Sequence, residues 1–289
     1  NTKDIISQNY LKSNPNFYEF DFISKKEGNV LFFVGDSINI NEKVIIPSGY
    51  VVKAKPGTTL NLTDSSFIIS KSPFFFKGMK DNLIKVISSD QTAKGLFLYQ
   101  TGSESYFSNT TFKNLSNFAY AGWELPAAIT FYEANVFFNF CNFKSNLAGD
   151  DYINIIRSDF KLINCKFIKS LFDGFDSDFS NGLIRNTSFL SCGNDGIDLS
   201  GSIVSLENVT LVDIGDKSIS VGEKSYCKIS NIYIKDSIIS ISKSRGIIPV
   251  TILFNSDNRR RNSHAKKKLV GQELDYAINS ELQGIELHN

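Results

Sequence analysis

The chain has 289 residues, of which 42% are hydrophobic, and its formal net charge is +1. A near-neutral chain gives no general electrostatic reason to expect nucleic acid or an acidic membrane surface as a partner. The chain has no run of about 18 apolar residues, so no membrane-spanning helix is predicted. Its length is compatible with one domain if the protein is built of repeats, because each repeat packs only on its neighbours.

The first 28 residues precede any recognisable repeat. We interpret residues 1–28 as an N-terminal cap or extension, since a solenoid must cover its first open coil. The chain starts at Asn1 without a charged and then apolar leader, which fits either removal of a signal peptide or a fragment of a longer protein.

Between residues 29 and 245 the sequence repeats at intervals of about 22 residues. One repeated unit places an Asn three positions before an apolar residue, as in Asn164 and Phe167, although Phe140 replaces the Asn in one copy. An Asn tolerates a left-handed backbone and can bond to its copy one coil away. We therefore expect the Asn residues to stack at one turn and the apolar residues to stack inside. The Asn residues are Asn109, Asn164, Asn186, Asn208 and Asn231, and the apolar residues are Phe112, Phe143, Phe167, Phe189, Leu211 and Ile234.

A second unit lies between copies of the first and begins at Asp151, Asp173, Asp195 and Lys217, each 22 residues after the last. Two short strands per repeat, with Gly, Asn and Ser between them, leave no room for long helices. At about 3.3 Å per residue they suit a flattened coil of parallel strands. We predict an all-β fold, a single-stranded right-handed parallel β-helix over residues 29–245 with about 22 residues per coil.

The four cysteines are Cys141, Cys165, Cys192 and Cys227, and they form no CxxC pair. With only two histidines in the chain, the sequence holds no zinc motif. Cys141 and Cys165 occupy matching places in successive repeats. We expect both to point into the solenoid as small apolar side chains, and the alternative is a disulfide between them.

Beyond Arg245 the repeat fails. Two basic runs, at 259–261 and 266–268, lead into apolar residues at helical spacing. We interpret residues 246–289 as an atypical C-terminal segment with a capping helix, in which the basic runs form a solvated linker. The alternative is a contact with an anionic polymer through these runs.

Aspartates that recur at the repeat period are our candidate catalytic residues. If Phe175 and Ile197 face inward, Asp176 and Asp198 face outward by strand alternation. Adjacent coils lie about 4.8 Å apart, so these aspartates should crowd one patch. Like charges so close cannot all ionise easily, and one can hold a proton as a general acid beside a neighbouring base. The candidates are Asp173, Asp176, Asp195 and Asp198, with Thr130, Asn154 and Ser220 extending the outward column.

Turn chemistry or metal binding could also account for the recurring aspartates. Asp residues at Asp-Gly corners commonly accept backbone N–H bonds, so they could be turn fixtures. Alternatively, Asp151, Asp173 and Asp195 could share a Ca²⁺ ion as cofactor, since carboxylate oxygens suit that metal. The candidate substrate-binding residues around the patch are Trp123, which lies in an insertion between repeats, and Asn154, Arg157, Asp178 and Lys217.

Five segments carry a family resemblance: IPSGY at 46–50, PGTTLNL at 56–62, AITFYEANV at 128–136, NDGID at 194–198 and GDKSISVGE at 215–223. They resemble bacterial right-handed parallel β-helix repeat proteins of the pectin-lyase-like superfamily, which includes lyases, hydrolases, epimerases and adhesins. The resemblance implies a secreted or cell-surface protein that binds, and cleaves or epimerises, a polysaccharide. The alternative is a non-catalytic structural or adhesive solenoid.

The resemblance does not extend to a complete catalytic motif. The NDG segment at 194–196 and the GDK segment at 215–217 are similar to the NTD and GDD segments of polygalacturonase-type hydrolases, and DGFD at 173–176 is similar to a segment of mannuronan epimerases. Both enzyme types also use a histidine in their motifs. Here His264 and His288 lie outside the repeats, so neither activity can be carried over residue by residue.

Overall fold

The computed structural model describes residues 14–120, 123–222 and 224–243. Within them the chain forms a parallel β-solenoid of about nine turns of roughly 23 residues. The predicted all-β parallel β-helix is confirmed. The expected capping helix in 246–289 lies outside the described residues, as do residues 1–13. Among the described residues, no helix is both long enough and apolar enough to cross a membrane.

The regular elements of the described chain are β-strands and two 3-10 turns, Phe17–Glu19 and Glu27–Asn29. The strands are β1 (Ile23–Lys26), β2 (Val30–Phe33), β3 (Ser37–Ile40), β4 (Val44–Ile46), β5 (Val51–Ala54), β6 (Thr59–Leu62), β7 (Ile68–Ser70), β8 (Phe74–Lys77), β9 (Ile84–Ile87), β10 (Leu96–Tyr99), β11 (Ser105–Ser108), β12 (Thr110–Lys113), β13 (Ala119–Tyr120), β14 (Trp123–Glu124), β15 (Ala127–Tyr132), β16 (Val136–Asn139), β17 (Asn142–Lys144), β18 (Asp151–Ile156), β19 (Asp159–Ile163), β20 (Lys166–Ile168), β21 (Asp173–Asp178), β22 (Asn181–Arg185), β23 (Ser188–Cys192), β24 (Ile197–Ser200), β25 (Ile203–Ile214), β26 (Lys217–Val221), β27 (Tyr226–Lys235) and β28 (Ile238–Lys243).

The strands build three parallel stacks along the solenoid. The first stack passes through β2, β5, β8, β11, β16, β19 and β22, and the second through β3, β6, β9, β12, β17, β20 and β23. Both continue into the long strands β25 and β27. The third stack runs in the order β4, β7, β10, β15, β18, β21, β24, β26 and β28. Parallel pairing sets equivalent residues of successive coils side by side, which positions the candidate site.

Aromatic rings stack through the interior, as the sequence predicts. Phe112, Phe143, Phe167 and Phe189 are fully buried, with successive ring centroids 5.2, 4.5 and 4.6 Å apart. Leu211 is in register with Phe189 and continues this interior file. Burial of such side chains from water is the main stabilising contribution that each coil makes.

The predicted turn of stacked Asn residues is present, with one interruption. Asn186 Nδ2 donates to Asn164 Oδ1 at 3.2 Å, and Asn208 Nδ2 donates to Asn186 Oδ1 at 3.0 Å. Asn231 continues these bonds, which we call the asparagine ladder. At Phe140 the backbone is still left-handed, with φ of 54°, but no amide is present to bond. Asn109 therefore stays outside the ladder and bonds the Gly78 carbonyl at 3.2 Å.

The four cysteines are free thiols and all are buried. The prediction that Cys141 and Cys165 point inward is confirmed, since both belong to the main hydrophobic core. Near the start of the described chain, β1 pairs antiparallel with β2, and Phe17, Phe20 and Phe22 pack against the core. An antiparallel strand at this point ends the parallel pairing of the first coil.

Candidate functional site

The outer surface of the third stack changes from apolar to polar along the solenoid. At one strand position, Ile45, Ile69 and Phe97 are in register, and each is at most 7% exposed. The same position continues in register as the predicted polar column, which we call the polar file: Thr130, Asn154, Asp176, Asp198 and Ser220.

A hairpin formed by β13 and β14 covers the apolar part of this surface. It belongs to the insertion that the repeat spacing locates between β12 and β15. The Phe118 ring contacts Phe67 and Phe97, with centroids 5.1 and 5.8 Å away, and Lys43 Nζ donates to the Tyr120 hydroxyl at 2.7 Å. The candidate Trp123 begins β14, and its side chain lies outside the described part of the structure. The apolar half of the surface is thus used for packing.

Two of the candidate aspartates hold successive corners of the third stack together. Asp173 Oδ1 accepts the backbone N–H of Asp195 at 2.8 Å and the Asn194 amide at 2.6 Å. One coil further, Asp195 Oδ1 accepts the backbone N–H of Lys217 at 2.9 Å, and Asp195 Oδ2 lies 3.1 Å from Lys217 Nζ. Both carboxylates are almost fully buried. These bonds match the turn-fixture interpretation for Asp173 and Asp195.

A close approach between coils explains the glycine after each of these aspartates. A Cβ on Gly196 would lie 2.7 Å from the Ser218 carbonyl oxygen and 2.6 Å from Leu211. A Cβ on Gly174 would meet the Gly196 carbonyl oxygen at 2.8 Å. The glycine of each Asp-Gly pair therefore lets the backbone approach the next coil closely, and the aspartate side chain accepts a backbone N–H of that coil.

The other aspartates of β21 and β24 have different contacts from those of Asp173 and Asp195. The Asn154 amide donates to Asp176 Oδ2 and, at 3.0 Å, to Asp178 Oδ2. Asp176 and Asp198 are in register on β21 and β24. The buried atoms Thr130 Oγ1 and Asn154 Oδ1 have no hydrogen-bond partner in the described structure. We give the name aspartate face to the surface formed by Asp151, Asp173, Asp176, Asp178, Asp195 and Asp198.

Burial and mutual repulsion shift the titration of several of these carboxyls. Burial, with the Asp176 charge next in size, raises the pKa of Asp151 to about 9. Burial and the charges of Asp178 and Asp198 raise the pKa of Asp176 to about 8. Burial also raises the pKa of Asp173 to about 6, because the N–H bonds it accepts offset only part of the desolvation cost. Burial therefore favours the protonated forms of Asp151 and Asp176 well above the pH at which an exposed aspartate ionises.

Asp173, Asp195 and Asp198 each place one carboxylate oxygen within 4.8 Å of the other two. Asp198 thus takes the place expected for Asp151 in the predicted Ca²⁺ trio. The fit to Ca²⁺ is poor, because the ion needs about six to eight oxygens and Asp195 is already bound by the Lys217 ammonium. A divalent cation here would have to displace that lysine.

The remaining candidates lie at the edges of the aspartate face. Lys217 Nζ is shared between Asp195 and Asp216, at 3.1 and 3.0 Å. Arg157 follows β18 and turns away from the aspartates, since its Nη1 donates to the Tyr132 hydroxyl at 3.1 Å. The structure adds two residues that the sequence prediction missed, Phe172 and Phe179, whose side chains are exposed at the two ends of β21. A signal for them existed, because aromatic residues flank the DGFDSD segment.

The fold and the site together define a parallel β-helix with an acidic outer face. No protein-family model matches the chain, and no curated protein matches it. It is similar to crystal structures of the periplasmic alginate epimerase AlgG. A double mutant of AlgG has a TM-score of 0.44 at 12% identity, covering 88% of this chain and 73% of that chain. Another AlgG structure has a TM-score of 0.34 at 11% identity, covering 86% and 82%. Similarity at this level does not assign an activity to the chain.

Proposed function

We propose that this β-helix binds a polysaccharide on the aspartate face and cleaves it by acid–base chemistry, with Asp176 as proton donor and Asp198 as the opposing carboxylate. The protein would then act outside the cell or at the cell surface. The observation that carries the proposal is the polar file, which places Asp176 and Asp198 side by side on the outer surface of the third stack.

The fold itself gives no reason for acidic residues at this position. The same strand position holds Ile69 and Phe97 in earlier coils, so the solenoid accepts apolar residues there. Like charges on directly paired strands are destabilising. Among the described residues, the carboxylates of Asp178 and Asp198 accept no backbone N–H, so turn chemistry does not account for them. A ligand-binding or catalytic role accounts for these destabilising charges.

The pair has the properties that glycoside cleavage needs. Asp176 holds a proton at neutral pH, because burial and neighbouring charges raise its pKa to about 8. Paired strands are about 4.8 Å apart, and carboxyls about 5 Å apart suit a mechanism in which one protonates the leaving oxygen and the other attacks the sugar. In this proposal Asp176 protonates the glycosidic oxygen, and the bond from that oxygen to the sugar carbon breaks as Asp198 bonds to the same carbon. Water then displaces Asp198 from the sugar carbon and returns a proton to Asp176. The Asn154 amide orients Asp176.

A second candidate function is a structural or adhesive solenoid without catalysis. It is favoured by the bonds of Asp173 and Asp195 to the backbone of the next coil, which give these two residues a sufficient structural role. This candidate does not explain Asp176, Asp178 and Asp198. The two functions therefore make different predictions for the two groups of aspartates.

The test is to incubate the purified chain with neutral, amino-sugar and uronate polysaccharides. Binding is measured by calorimetry, and new reducing ends, unsaturated ends and sugar epimers are measured in the products. We expect binding together with new reducing ends. Asp176→Asn should lower the cleavage rate by about 10²–10⁴-fold, the usual contribution of general acid catalysis.

The matched control is Asp159→Asn, which removes the same charge from β19 on the first stack. It should leave both binding and cleavage unchanged. Binding without any change in the polysaccharide would reject the catalytic part of the proposal, and no binding to any polysaccharide would leave the structural solenoid as the better explanation.

A further inference from the structure

The solenoid separates its charges between faces, although its net charge is only +1. The strands of the third stack from β15 to β26 carry five aspartates and one lysine. The strands of the first and second stacks from β5 to β20 have the opposite composition, with seven lysines and one aspartate, Asp159. All seven lysines are partly or fully exposed, and we call the surface that they form the lysine face: Lys53, Lys77, Lys85, Lys113, Lys144, Lys161 and Lys166.

The lysine face lacks acidic partners. None of its seven lysines forms an ion pair with any described residue. Asp159 accepts the Asn181 amide at 3.2 Å and does not reach an ammonium. Lys113 and Lys144 are directly paired across β12 and β17, and like charges on paired strands are destabilising. A bound anion would offset this repulsion.

A separate observation on the first stack is a row of aromatic rings that points outward. Phe75, Tyr106 and Phe137 are in register on β8, β11 and β16, and each ring is partly exposed. Lys53 and Lys161 hold the same register position at the two ends of this row. In β22 and β25 that position is held by a leucine and a serine, so the fold does not require aromatic rings there.

Two lysines of the face lie over these rings. Lys77 Nζ is 5.6 Å from the centroid of the Tyr106 ring, and Lys161 Nζ is 5.6 Å from that of the Phe137 ring. The two rings are in edge contact, with centroids 5.2 Å apart. Cation–π attraction keeps each ammonium beside a ring. An anionic group and the apolar face of a sugar can therefore be bound side by side at this place.

We infer that the lysine face is a second binding site, which takes a linear anionic polysaccharide lying along the solenoid across β8, β11, β16 and β19. The sugars pack on Tyr106 and Phe137, and the ammonium groups of the flanking lysines bind the carboxylate or sulfate groups. Since successive coils are about 4.8 Å apart, an extended polymer meets a ring or a lysine at every coil. The site lies on other stacks than the aspartate face and is independent of the proposed function. Its role is to hold the protein on an anionic polymer.

Two features favour a glycan over other anionic partners. The strands that carry the lysine face contain no arginine, whose planar guanidinium is the side chain most suited to phosphate and nucleic-acid recognition. The rings of the row are only partly exposed. Such rings can pack against the flat face of a sugar, whereas insertion into a lipid surface needs apolar side chains that reach below the headgroups.

The experiment measures binding of oligogalacturonate, its neutral methyl ester and a dextran sulfate oligomer to the full chain by calorimetry. We expect both anionic oligomers to bind, with an affinity that falls as added salt screens the lysines. Lys77→Gln combined with Lys161→Gln should weaken their binding about tenfold, because two exposed ion pairs are lost. Tyr106→Ala should weaken it about threefold or more. Circular dichroism checks that each variant is folded.

The matched control is Lys228→Gln. Lys228 is an exposed lysine of β27 that holds the register position of Lys161 three coils further along the first stack. Its replacement removes the same charge away from the rings and should leave the affinity for both anionic oligomers unchanged. Any binding of the methyl ester should be the same in the wild type and in the double variant.

Several results would overturn the inference. Two of them are no binding of either anionic oligomer, and equal affinity of the wild type and the double variant. Loss of binding only when Arg259, Arg260 and Arg261 are replaced by Gln would place the polymer on the C-terminal basic run, and loss in Asp176→Asn would place it on the aspartate face. Tighter binding of a single-stranded oligonucleotide or of anionic lipid vesicles would identify another class of partner. None of these results changes the test of the proposed function, which follows cleavage and Asp176.

Discussion

At the level of single residues, the aspartates of the third stack fall into two groups by their contacts. Asp173 and Asp195 accept backbone N–H groups from the next coil. Asp178 instead accepts the Asn154 amide, and Asp198 makes no hydrogen bond within the described residues. Asp173 and Asp195 recur at the same 22-residue interval as Asp176 and Asp198. The two pairs therefore differ in role because one lies at the corner before the strand and the other lies within the strand.

The first group should be structural. Asp173→Ala leaves the Asp195 N–H and the Asn194 amide without their acceptor, so we expect a loss of about 1–3 kcal/mol in the free energy of unfolding. Asp198→Asn should leave stability unchanged or raise it, because it removes repulsion with Asp176. Urea denaturation of both variants tests this. Equal destabilisation by the two substitutions would contradict the division.

Asp151 should make stability depend on pH. Its folded pKa is raised from 3.8 to about 9, so between these values the folded state holds a proton that the unfolded state has lost. The free energy of unfolding should therefore fall as pH rises from about 4 to about 9. Asp151→Asn should flatten this slope, and Asp159→Asn should leave it unchanged. Denaturation at pH 5, 7 and 9 measures the slope, and a wild-type stability that rises over this interval would refute the assignment.

At the turn that carries the asparagine ladder, the coil imposes the left-handed backbone conformation, and that conformation does not require an Asn. Phe140 adopts φ of 54° although it has no amide to bond, and its side chain is 53% exposed. Asn139, beside it, accepts the Asn164 amide in its place at 3.2 Å. The asparagine ladder therefore stops at a position where the geometry for it is already present.

This interruption can be repaired. Phe140→Asn supplies a residue that tolerates the left-handed conformation and can bond Asn164, so we expect a gain on the order of 1 kcal/mol in the free energy of unfolding. Phe140→Ala is the control, because it removes the exposed ring without adding an amide. If the two variants have the same stability, the ladder contributes nothing at this turn.

The interior aromatic file is the element most sensitive to truncation. Phe189 is fully buried between Phe167 and Leu211. Phe189→Ala should cost about 3–5 kcal/mol through lost burial and a residual cavity. Equilibrium denaturation measures the loss, and Phe179→Ala on the exposed surface is the matched control with little expected change. A loss below about 1 kcal/mol would mean that the cavity collapses without penalty.

On the scale of the whole molecule, each coil depends on its two neighbours. Stability in such a solenoid is a sum of coil and interface contributions. The coils with stacked rings, from Phe107 to Phe189, have the largest aromatic interior. We expect hydrogen exchange monitored by mass spectrometry to be slowest in β16 to β22 and faster in β27 and at Phe17–Glu19. Uniform exchange along the chain would show that the described coils open as one unit.

The sequence by itself determined the repeat, the parallel coils, the interior file and the register of the polar file. These follow from local pattern, because a solenoid pairs each residue with one about 22 positions away. The site depends on contacts that no period encodes. Only the folded coils decide that Asp195 is bound by Lys217, that Arg157 turns to Tyr132, and that Asp198 takes the place expected for Asp151 beside Asp173. Burial decides which carboxyl keeps its proton. Burial depends on how the coils pack and exclude water, and the spacing of the aspartates in the sequence does not encode it.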